Sequence, residues 1–337
     1  MKKKVLALFL IVLMILPMVS ACNNKPVNNA EGTVEDGGEN KEIVEEYGVK
    51  IDENTVSFID GRDQEVTLNK KPERVVCLFN SYLDIWYNSG GTVVGRLEES
   101  QEKLVEGAKD AEVVGKLGSE SLEKILSLQP DLVILNSNMK GHLALIEALE
   151  QNNIGIIALD YFYKDDYFKF VRLFTALNER EDLYEKNAIE VRDEIEDIIE
   201  KVPQDKEHKV LLMMASTKSI TVRGSDSTVG EMLKDLNTIN ISDVNDKNID
   251  AQAFSLEKII EEDPDYIFVQ TTGSDMDKVF EKLKKDIENN PAWSSLKAVK
   301  EEKYIYLPKD LYMYKPNEKY PEAYLGLAKI LYPEVFN

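Results

Sequence analysis

The pattern of apolar and polar positions along this chain contains the same unit twice. Residues 121–135, SLEKILSLQPDLVIL, and residues 255–269, SLEKIIEEDPDYIFV, share seven of fifteen residues at an offset of 134. Each segment predicts a short helix, a Pro-Asp turn and a buried strand. Residues 74–81 and 209–216 form a second pair at nearly the same offset, each an apolar run that ends in small polar residues. Helix, turn and strand recur in any α/β protein, but the identical SLEKI favours two halves built on one plan.

The other apolar segments alternate between strand and helix. Two alternating runs around Asp60-Gly61 are typical of a β-hairpin. Further strands are predicted at 93–94, 154–159, 210–214 and 304–307, with one more that ends near Arg223-Gly224, and helices at 81–87, 142–151, 167–177, 228–236, 277–289 and 321–331. Ser81 is predicted to cap the first of these helices, and Asn178 to end the third in a left-handed conformation. This alternation predicts parallel sheets that are covered on both faces.

One segment in the middle of the chain departs from the alternation. Residues 181–202 contain no Gly or Pro, carry apolar residues at helical spacing and end before Pro203. At 1.5 Å per residue, about 22 residues form a helix of roughly 33 Å, which is the length of a domain. An ordinary surface helix would show the same pattern, but the position between the two repeats favours a rigid connector. The predicted fold class is α/β, with two similar lobes that have mainly parallel central sheets, one long α-helix joining them and a ligand cleft between them.

The N-terminal residues are predicted to lie outside the fold. Lys2–Lys4 are basic, Val5–Leu16 is a continuous apolar run, and Val19-Ser-Ala-Cys22 is typical of a lipobox, in which cleavage leaves a lipidated Cys22. An ordinary signal peptide followed by a chance cysteine is the alternative. A diacyl anchor holds a protein firmly on a membrane. The predicted boundaries are a lipoprotein signal peptide at 1–21, an acidic flexible tether at 22–48, an N-terminal α/β lobe at 49–178, the connecting helix at 179–203 and a C-terminal α/β lobe at 204–337.

Composition excludes several kinds of site. The 337 residues include 62 Asp and Glu against 41 Lys and Arg, which gives a formal charge of −21. A body this acidic does not bind nucleic acid through bulk electrostatics. If Cys22 carries lipid, only Cys77 remains, inside an apolar strand, so no internal disulfide forms. Only two histidines are present, and no hydrolase, nucleotide-binding or zinc motif is found. We therefore predict no catalytic residues and no metal site of the protein's own.

Several short motifs are typical of one family. They are the Asp60-Gly-Arg62 hairpin with Lys71-Pro-Glu-Arg-Val75, the Ser-Leu-Glu helices that lead to Pro130-Asp131 and Pro264-Asp265, Arg223-Gly224 before Leu233, and Pro291-Ala-Trp293. Over about residues 54–335, the chain resembles the substrate-binding lipoproteins of ABC importers, of the helical-backbone type that handles iron-siderophores, haem and cobalamin. Where that family often has Thr-Gly before its connecting helix, this chain has Leu177-Asn178, and Asn adopts the same left-handed turn.

The resemblance implies a binding protein and not an enzyme. It implies a lipid-anchored monomer on the outer face of the cytoplasmic membrane, which captures an iron complex, foremost a ferric siderophore, and delivers it to ABC permease subunits and their ATPase. Haem and cobalamin or another corrinoid are the alternative ligands, and no covalent cofactor is implied apart from the lipid. The resemblance also implies that one glutamate of each lobe, in a Ser-x-Glu motif at the start of a helix, pairs with arginines of the membrane subunits. Glu123 and Glu257 occupy the glutamate position of that motif. Glutamate near a helix N-terminus also favours the helix dipole, by about 0.3–1 kcal/mol, so both roles stay open.

Ligands of such folds bind outside the carboxyl ends of the strands, between the lobes. Arg96 and Arg223 stand out because each adjoins a Gly at a strand end. The candidate residues in the loops after the predicted strands are mainly aromatic and polar, with a few cations. Such residues suit a planar or aromatic ligand that bears carboxylate or other oxyanion groups. The loops that follow the predicted strands give these candidates: Asn80, Ser81, Tyr82, Arg96, Asn138, Met139, Tyr161 and Phe162 in the first lobe, and Lys218, Arg223, Thr271, Thr272, Lys309, Tyr312 and Tyr314 in the second.

Alternatives from other classes stay open on the sequence. Met139 and His142 are residue types that serve as axial ligands of haem, but a wall residue and a first-turn helix residue fit the pattern as well. A surface sensor without a transport role is a second alternative. A metal-cluster enzyme on the same architecture is a third, and it would need cysteine or histidine ligands that Cys77 and two histidines scarcely provide.

Overall fold

The computed structural model describes residues 44–99, 105–243 and 256–337, which all belong to one compact unit, Lys41–Asn337. The predicted signal peptide, Cys22 and the predicted tether as far as residue 43 lie outside the described residues. Within the described ranges, no helix has both the length and the apolar character that crossing a membrane requires.

A four-stranded antiparallel sheet begins the described chain. Its strands, in their order across the sheet, are β1 (Val44–Glu46), β2 (Val49–Ile51), β3 (Thr55–Ile59) and β4 (Glu65–Asn69). The hairpin predicted around Asp60 is confirmed as β3 and β4. The tether prediction is wrong at its end, because residues 44–48 form β1 and the turn that follows it. Tyr47 and Gly48 have φ values of 53° and 71°, as a two-residue hairpin turn between twisted strands requires.

The Asp60-Gly-Arg62 motif fastens this sheet to the rest of the chain. The buried Asp60 carboxylate accepts hydrogen bonds from the Arg62 backbone N–H at 2.8 Å and from Arg62 Nε at 2.7 Å. The Gly61 N–H donates to the Ala158 carbonyl oxygen at 2.8 Å. A side chain at Gly61 would overlap Ser137 Oγ, so the close approach requires glycine. The motif is therefore explained by packing alone.

The first lobe contains a five-stranded sheet, and all its neighbouring strands are parallel. In chain order, the elements of this lobe are β5 (Val75–Cys77), α1 (Asn80–Asn88), β6 (Gly95–Arg96), β7 (Glu112–Val113), β8 (Gly115–Lys116), β9 (Ser119–Glu120), α2 (Leu122–Ser127), β10 (Leu132–Asn136), α3 (Lys140–Leu143), α4 (Ile146–Gln151) and β11 (Gly155–Leu159). The strand order across the sheet is β11-β10-β5-β6-β7, and β8 with β9 forms a separate hairpin. The predicted cap at Ser81 is wrong, because the first helix already begins at Asn80 and makes no side-chain cap hydrogen bond.

The connecting segment is helical but not a single regular α-helix. Glu179, with a φ of 52°, is the left-handed residue that ends the helix before the connector, and the prediction of Asn178 for that position is wrong. Tyr167 donates a hydrogen bond to the Asn187 carbonyl oxygen at 2.6 Å, within a π-helical turn that interrupts the connector. The elements are α5 (Lys164–Asn178), α6 (Glu181–Tyr184), a π-helical turn at Glu185–Ile189 and α7 (Glu190–Glu200).

The second lobe is built on a five-stranded sheet. In chain order, its elements are β12 (His208–Ala215), β13 (Ile220–Val222), α8 (Thr228–Asp235), β14 (Thr238–Asn240), α9 (Leu256–Glu262), β15 (Tyr266–Thr271), α10 (Met276–Leu283), α11 (Lys297–Lys300), β16 (Tyr304–Tyr306), α12 (Lys309–Tyr312), α13 (Tyr320–Leu331) and α14 (Pro333–Phe336). β12 is the central strand. β15 and then β16 extend the sheet in parallel on one side, and β13 (antiparallel) and β14 (parallel) share the other edge of β12.

The Pro-Asp turn of the repeat has the same structural role in both lobes. The Asp131 carboxylate accepts hydrogen bonds from the backbone N–H groups of Glu73 at 2.6 Å and Arg74 at 3.0 Å. The Asp265 carboxylate accepts one from the Lys209 N–H at 2.9 Å. In each lobe, this aspartate ties the beginning of the strand after the SLEKI helix to the beginning of the neighbouring strand. The repeat in the sequence therefore corresponds to a repeated packing unit.

Alternation of side chains along the strands divides the core. Val210 and Leu212 of β12 belong to a central cluster, whereas Leu211 and Met213 belong to an outer cluster under α9 and α10. The central cluster also contains first-lobe residues such as Phe170, so it is continuous between the lobes. A shared close-packed core resists large movement of one lobe against the other.

Candidate functional site

The carboxyl ends of β12 and β15 border a recess of about 120 Å³ in the second lobe. Parallel strands that end at the same edge commonly place ligand sites there. We call this feature the basic recess. It is lined by Met214, Arg223, Ser227, Thr228, Val229, Gln270, Tyr312, Met313, Tyr314 and Lys315. Three of these, Arg223, Tyr312 and Tyr314, are candidates from the sequence.

Arg223 lines the basic recess, and its guanidinium is only partly hydrogen-bonded within the described residues. Its backbone N–H donates to the Leu212 carbonyl oxygen at 2.8 Å, which holds the residue beside β12. Its Nη2 lies 3.2 Å from the sulfur of Met214, a weak acceptor. Its Nε is buried and has no hydrogen-bond partner within the described residues. Leaving a buried donor unsatisfied costs about 1–3 kcal/mol, more for a charged group. An anionic ligand would offset this cost by supplying the missing acceptor.

Lys315 provides a second cation at the basic recess. Its Nζ donates to Thr228 Oγ1 at 2.6 Å and to the Phe162 carbonyl oxygen at 3.1 Å, and it lies 4.4 Å from the centre of the Tyr161 ring. Burial lowers the pKa of Lys315 to about 8, and the carboxylates of Asp166 and Glu231 oppose that shift. The side chain is therefore mostly charged at pH 7 and touches the segment after β11 in the first lobe.

The aromatic residues of the basic recess contribute surface more than hydroxyl groups. Tyr312 is buried, and its hydroxyl donates to the Ala323 carbonyl oxygen at 2.9 Å. Its own carbonyl accepts a hydrogen bond from the side chain of Gln270. Tyr314 is half-buried. Two cations beside aromatic and amide groups suit a ligand that is anionic and rich in oxygen.

Most first-lobe candidates do not reach the basic recess. Tyr82 is fully buried, donates to the Leu159 carbonyl oxygen at 2.9 Å and accepts from the Asn136 amide at 2.8 Å, so its prediction as a cleft residue is wrong. The Arg96 side chain is 13% exposed and bonds the Ala108 carbonyl oxygen at 2.7 Å and the Leu97 carbonyl oxygen at 3.0 Å. Its guanidinium holds a loop of its own lobe and does not line the basic recess, so a ligand-binding role for Arg96 stays a prediction.

Loop residues on the rim of the first lobe have different environments. The exposed Asn138 donates to Asp160 at 2.6 Å. Asn80, Ser81 and Met139 are half-buried at the starts of α1 and α3. Tyr161 is buried, and its hydroxyl donates a hydrogen bond to Asn317 Oδ1, whereas Phe162 is 49% exposed. Of these residues, Tyr161 contacts the lining of the basic recess through Lys315, and the Phe162 carbonyl oxygen accepts hydrogen bonds from both Lys315 and Thr228.

Four second-lobe candidates also stand outside the lining of the basic recess. Thr271 is 5% exposed at the end of β15, and the backbone of Thr272 donates to the Ala215 carbonyl oxygen at 2.9 Å. Lys309 donates to the Gly273 carbonyl oxygen at 2.8 Å. Lys218 is exposed in the turn between β12 and β13. The structure therefore gathers the arginine and two tyrosines of this lobe and adds Lys315, which sequence reasoning missed.

The two histidines are part of the packed interior. His142 is fully buried; its Nδ1 accepts a hydrogen bond from the Asn136 N–H at 3.0 Å, and its Nε2 lies 3.2 Å from Glu120 Oε1. Both ring nitrogens are engaged, so the suggestion of His142 as a haem ligand is wrong. His208 is 8% exposed and packs between the rings of Tyr266 and Tyr332. Within the described residues, no group of three or more His, Cys, Asp and Glu side chains is arranged to hold a metal ion.

Burial lowers the pKa of both His142 and His208 in the folded protein. The unfolded chain, with histidine pKa values of about 6.5, then binds more protons as the pH falls below that value, so the free energy of unfolding decreases by at most about 1.4 kcal/mol per pH unit for each histidine. We expect urea unfolding to show lower stability at pH 5 than at pH 7.5. The loss should be smaller in His208→Phe, which keeps an aromatic ring in the same place. An equal pH dependence in both proteins would contradict a role for His208.

Glu123 and Glu257 occupy equivalent positions in the two lobes. Each is the second residue of the short helix before a central strand, α2 before β10 and α9 before β15. Both side chains are exposed, and neither carboxylate forms an ion pair or a side-chain hydrogen bond within the part of the chain that the structure describes. Each lobe thus presents one available carboxylate at the start of a helix.

Comparison with known proteins identifies the family. A sequence model described as periplasmic binding protein matches residues 75–311. The Fe(3+)-citrate-binding protein YfmC of Bacillus subtilis (strain 168) is 27% identical over an alignment of 303 residues that covers 88% of this chain and 87% of that protein. YvrC of the same organism, an uncharacterized ABC transporter substrate-binding lipoprotein, is 25% identical over an alignment of 326 residues that covers 95% of this chain and 94% of that protein.

The fold agrees with this assignment. The crystal structure of an ABC transporter substrate-binding protein from Listeria monocytogenes EGD-e matches with a TM-score of 0.65 and 22% identity, over 78% of this chain and 100% of that chain. That likeness concerns the two-lobed α/β architecture. Because the family model covers more than half of the sequence, the chain belongs to the periplasmic binding protein family.

Proposed function

We propose that this protein is the extracytoplasmic substrate-binding component of an ABC importer, and that it captures an iron complex between its lobes and delivers it to a membrane permease. The observation that carries the proposal is the basic recess, where Arg223 has an unpartnered buried Nε and Lys315 lies beside it. Such a site binds anions without offering a catalytic group. The relative named as an Fe(3+)-citrate-binding protein supports an anionic iron complex as the ligand.

The ligand class follows from the charges at the recess. Citrate and many siderophores present carboxylate, catecholate or hydroxamate oxygens around iron, and guanidinium groups bind such oxygens through strong charge-assisted hydrogen bonds. We therefore place a ferric siderophore or ferric citrate before haem or a corrinoid. Neither histidine faces the basic recess, so an imidazole axial ligand for haem is absent from that lining.

Anchoring and delivery complete the proposal. Cys22 would carry the lipid, which agrees with the relatives that are described as lipoproteins. The acidic segment between Cys22 and β1 would let the body stand off the membrane. Glu123 and Glu257 would pair with basic groups on the permease subunits, and the spacing between the lobes would set the register of docking. The shared core implies that the lobes move little when ligand binds.

A thermal-shift panel on residues 23–337, which lack the predicted signal peptide and lipidated cysteine, tests the ligand class. The panel contains ferric citrate, a ferric catecholate, a ferric hydroxamate, haem and cyanocobalamin, with iron-free citrate as the control. Ligand at 100 times its dissociation constant adds about 2.7 kcal/mol to stability, which raises the unfolding midpoint by several degrees. We expect such a shift with one of the ferric complexes. A shift with cyanocobalamin alone, or no shift with any compound, would contradict an iron complex as the ligand.

A further inference from the structure

The hairpin formed by β8 and β9 carries the most exposed large apolar side chain of the described residues. Its strands pair Gly115 with Glu120 and Lys116 with Ser119, which leaves a two-residue turn of Leu117 and Gly118. Leu117 is 56% exposed, more than any other large apolar residue that the structure describes. Gly118 has a φ of 83°, and nothing lies within 4 Å of where its side chain would be. The tip of the hairpin therefore stands clear of the protein surface.

Buried polar groups hold the tip of the hairpin in place. The Glu120 side chain is 4% exposed, and its Oε1 accepts a hydrogen bond from the Gly118 N–H at 2.6 Å. The same oxygen lies 3.2 Å from Nε2 of His142, which is itself anchored through Nδ1 to the Asn136 N–H. The buried Glu120 carboxylate and His142 imidazole hold the exposed turn against the lobe, because each hydrogen bond restrains the loop. Leu117 therefore has a defined position.

The hairpin continues directly into the helix that carries Glu123. The Ser121 N–H donates to the Val114 carbonyl oxygen at 2.9 Å and closes the base of the hairpin. Ser121 also caps α2, because its Oγ accepts from the Lys124 N–H at 3.3 Å. Four residues span at most about 14 Å, so Leu117 lies within that distance of Ser121. Leu117 and Glu123 thus lie on one continuous segment, residues 117–123, that these hydrogen bonds hold to the first lobe.

We infer that Leu117 is a second docking contact for the membrane partner of Glu123, and that the hairpin tip enters an apolar hollow beside the basic group that pairs with that carboxylate. This inference rests on the proposed function. Exposed charge pairs contribute register and association rate but little affinity, whereas buried apolar anchors surrounded by polar groups supply most of the affinity of an interface. The exposed Leu117 has the properties of such an anchor, and the residue before it, Lys116, forms an exposed ion pair with Glu98 at 3.1 Å.

The charges of the chain select the kind of partner. A second copy of this protein would bring another formal charge of −21 to the surface, which repels. The available carboxylate of Glu123 instead favours a basic surface. We therefore expect a permease surface on the outer side of the membrane that has a basic group beside an apolar hollow. The basic group would pair with Glu123, and the hollow would receive Leu117.

Photocrosslinking in intact cells tests this contact without knowledge of the ligand. The full-length protein carries p-benzoylphenylalanine at position 117, at position 127 or at position 335. Ser127 is exposed one helical turn after Glu123 on α2, so a probe there leaves the Glu123 carboxylate in place. Val335, which is 42% exposed on α14, is the control position. We expect irradiation to join the protein to an ABC permease subunit, identified by mass spectrometry, from positions 117 and 127 but not from 335. In the background of Leu117→Asp, crosslinking from position 127 should fall by at least about ten-fold, whereas Val335→Asp should leave it unchanged.

The outcomes separate this inference from the proposed function. Crosslinks to the permease from 127 but not from 117 would overturn the docking role of Leu117 and leave permease delivery intact. Absence of permease crosslinks from both positions would overturn both. Because Leu117→Asp changes an exposed residue, its unfolding midpoint should equal that of the wild type. Gly118→Ala provides a second variant, which disturbs the turn by placing a side chain at a positive φ. Normal crosslinking from position 127 in both variants would also contradict the inference.

Discussion

Replacement of Arg223 by methionine will weaken ligand binding by about 10- to 150-fold. The estimate corresponds to the loss of a hydrogen bond to a charged group, about 1.5–3 kcal/mol, at roughly 1.4 kcal/mol for each factor of ten. Methionine keeps the unbranched apolar stem and removes the guanidinium whose Nε lacks a partner. The folded protein should therefore lose no stability. Isothermal titration calorimetry with the ferric complex identified by the panel measures the affinity, and urea unfolding measures the stability.

Lys218→Met is the matched control for this prediction. It removes the same single charge from the second lobe, but Lys218 is exposed in the turn after β12 and does not line the basic recess. We expect its affinity to match that of the wild type at physiological ionic strength, where charges more than about 8 Å apart are largely screened. Equal losses in the two variants would indicate long-range attraction in place of direct contact. Unchanged affinity in Arg223→Met would place the ligand elsewhere.

Lys315 is less suited to a first test although it lies in the same recess. Its Nζ also bonds Phe162 and Thr228, so its removal would alter the contact between the lobes together with any ligand contact. A change in affinity would then have two explanations. Among the described residues, Arg223 forms hydrogen bonds only within the second lobe, so its effect on binding can be interpreted directly.

The order of strands and helices could be predicted because it depends on local patterns. The SLEKI repeat predicted α2 with β10 and α9 with β15, and the apolar runs identified the central strands. β14 was missed, because Thr238–Asn240 is too short to show a period and is a strand only through its pairing with β12. The tether was extended too far for a related reason. β1 pairs through backbone groups, which leave no mark in a polar sequence such as Val44–Glu46.

The site was predicted only in part, because strand ends identify an edge of a sheet but not the direction of a side chain. Tyr82 and Tyr312 both follow strands, yet Tyr82 lies in the core and Tyr312 lines the recess. Arg96 and Arg223 both adjoin a glycine, yet the first is engaged by carbonyl groups of its own loop. Lys315 follows no strand; it comes after α12 and is brought to the recess by long-range packing. Its one local signal is its position within the aromatic run that contains Tyr312 and Tyr314.

The double variant Glu123→Ala plus Glu257→Ala will reduce uptake at least about ten-fold and leave ligand affinity unchanged, because two charge pairs with a partner surface are lost together. Both carboxylates are exposed and lie one on each lobe, so a partner with two basic groups can use them jointly to read the orientation of the binding protein. Uptake is measured in cells with the ⁵⁵Fe complex that the panel identifies. Affinity is measured on the soluble protein by calorimetry.

The control for the double variant is Glu65→Ala plus Glu281→Ala. These glutamates are also exposed, one on β4 and one on α10, and their removal changes the net charge by the same amount. Uptake should then remain at the wild-type level. If the two glutamates only favour the dipoles of α2 and α9, the double variant loses about 0.3–1 kcal/mol of stability for each helix and transports normally. Normal transport would therefore refute docking through Glu123 and Glu257, whereas lost transport with intact affinity would assign these carboxylates to the permease contact.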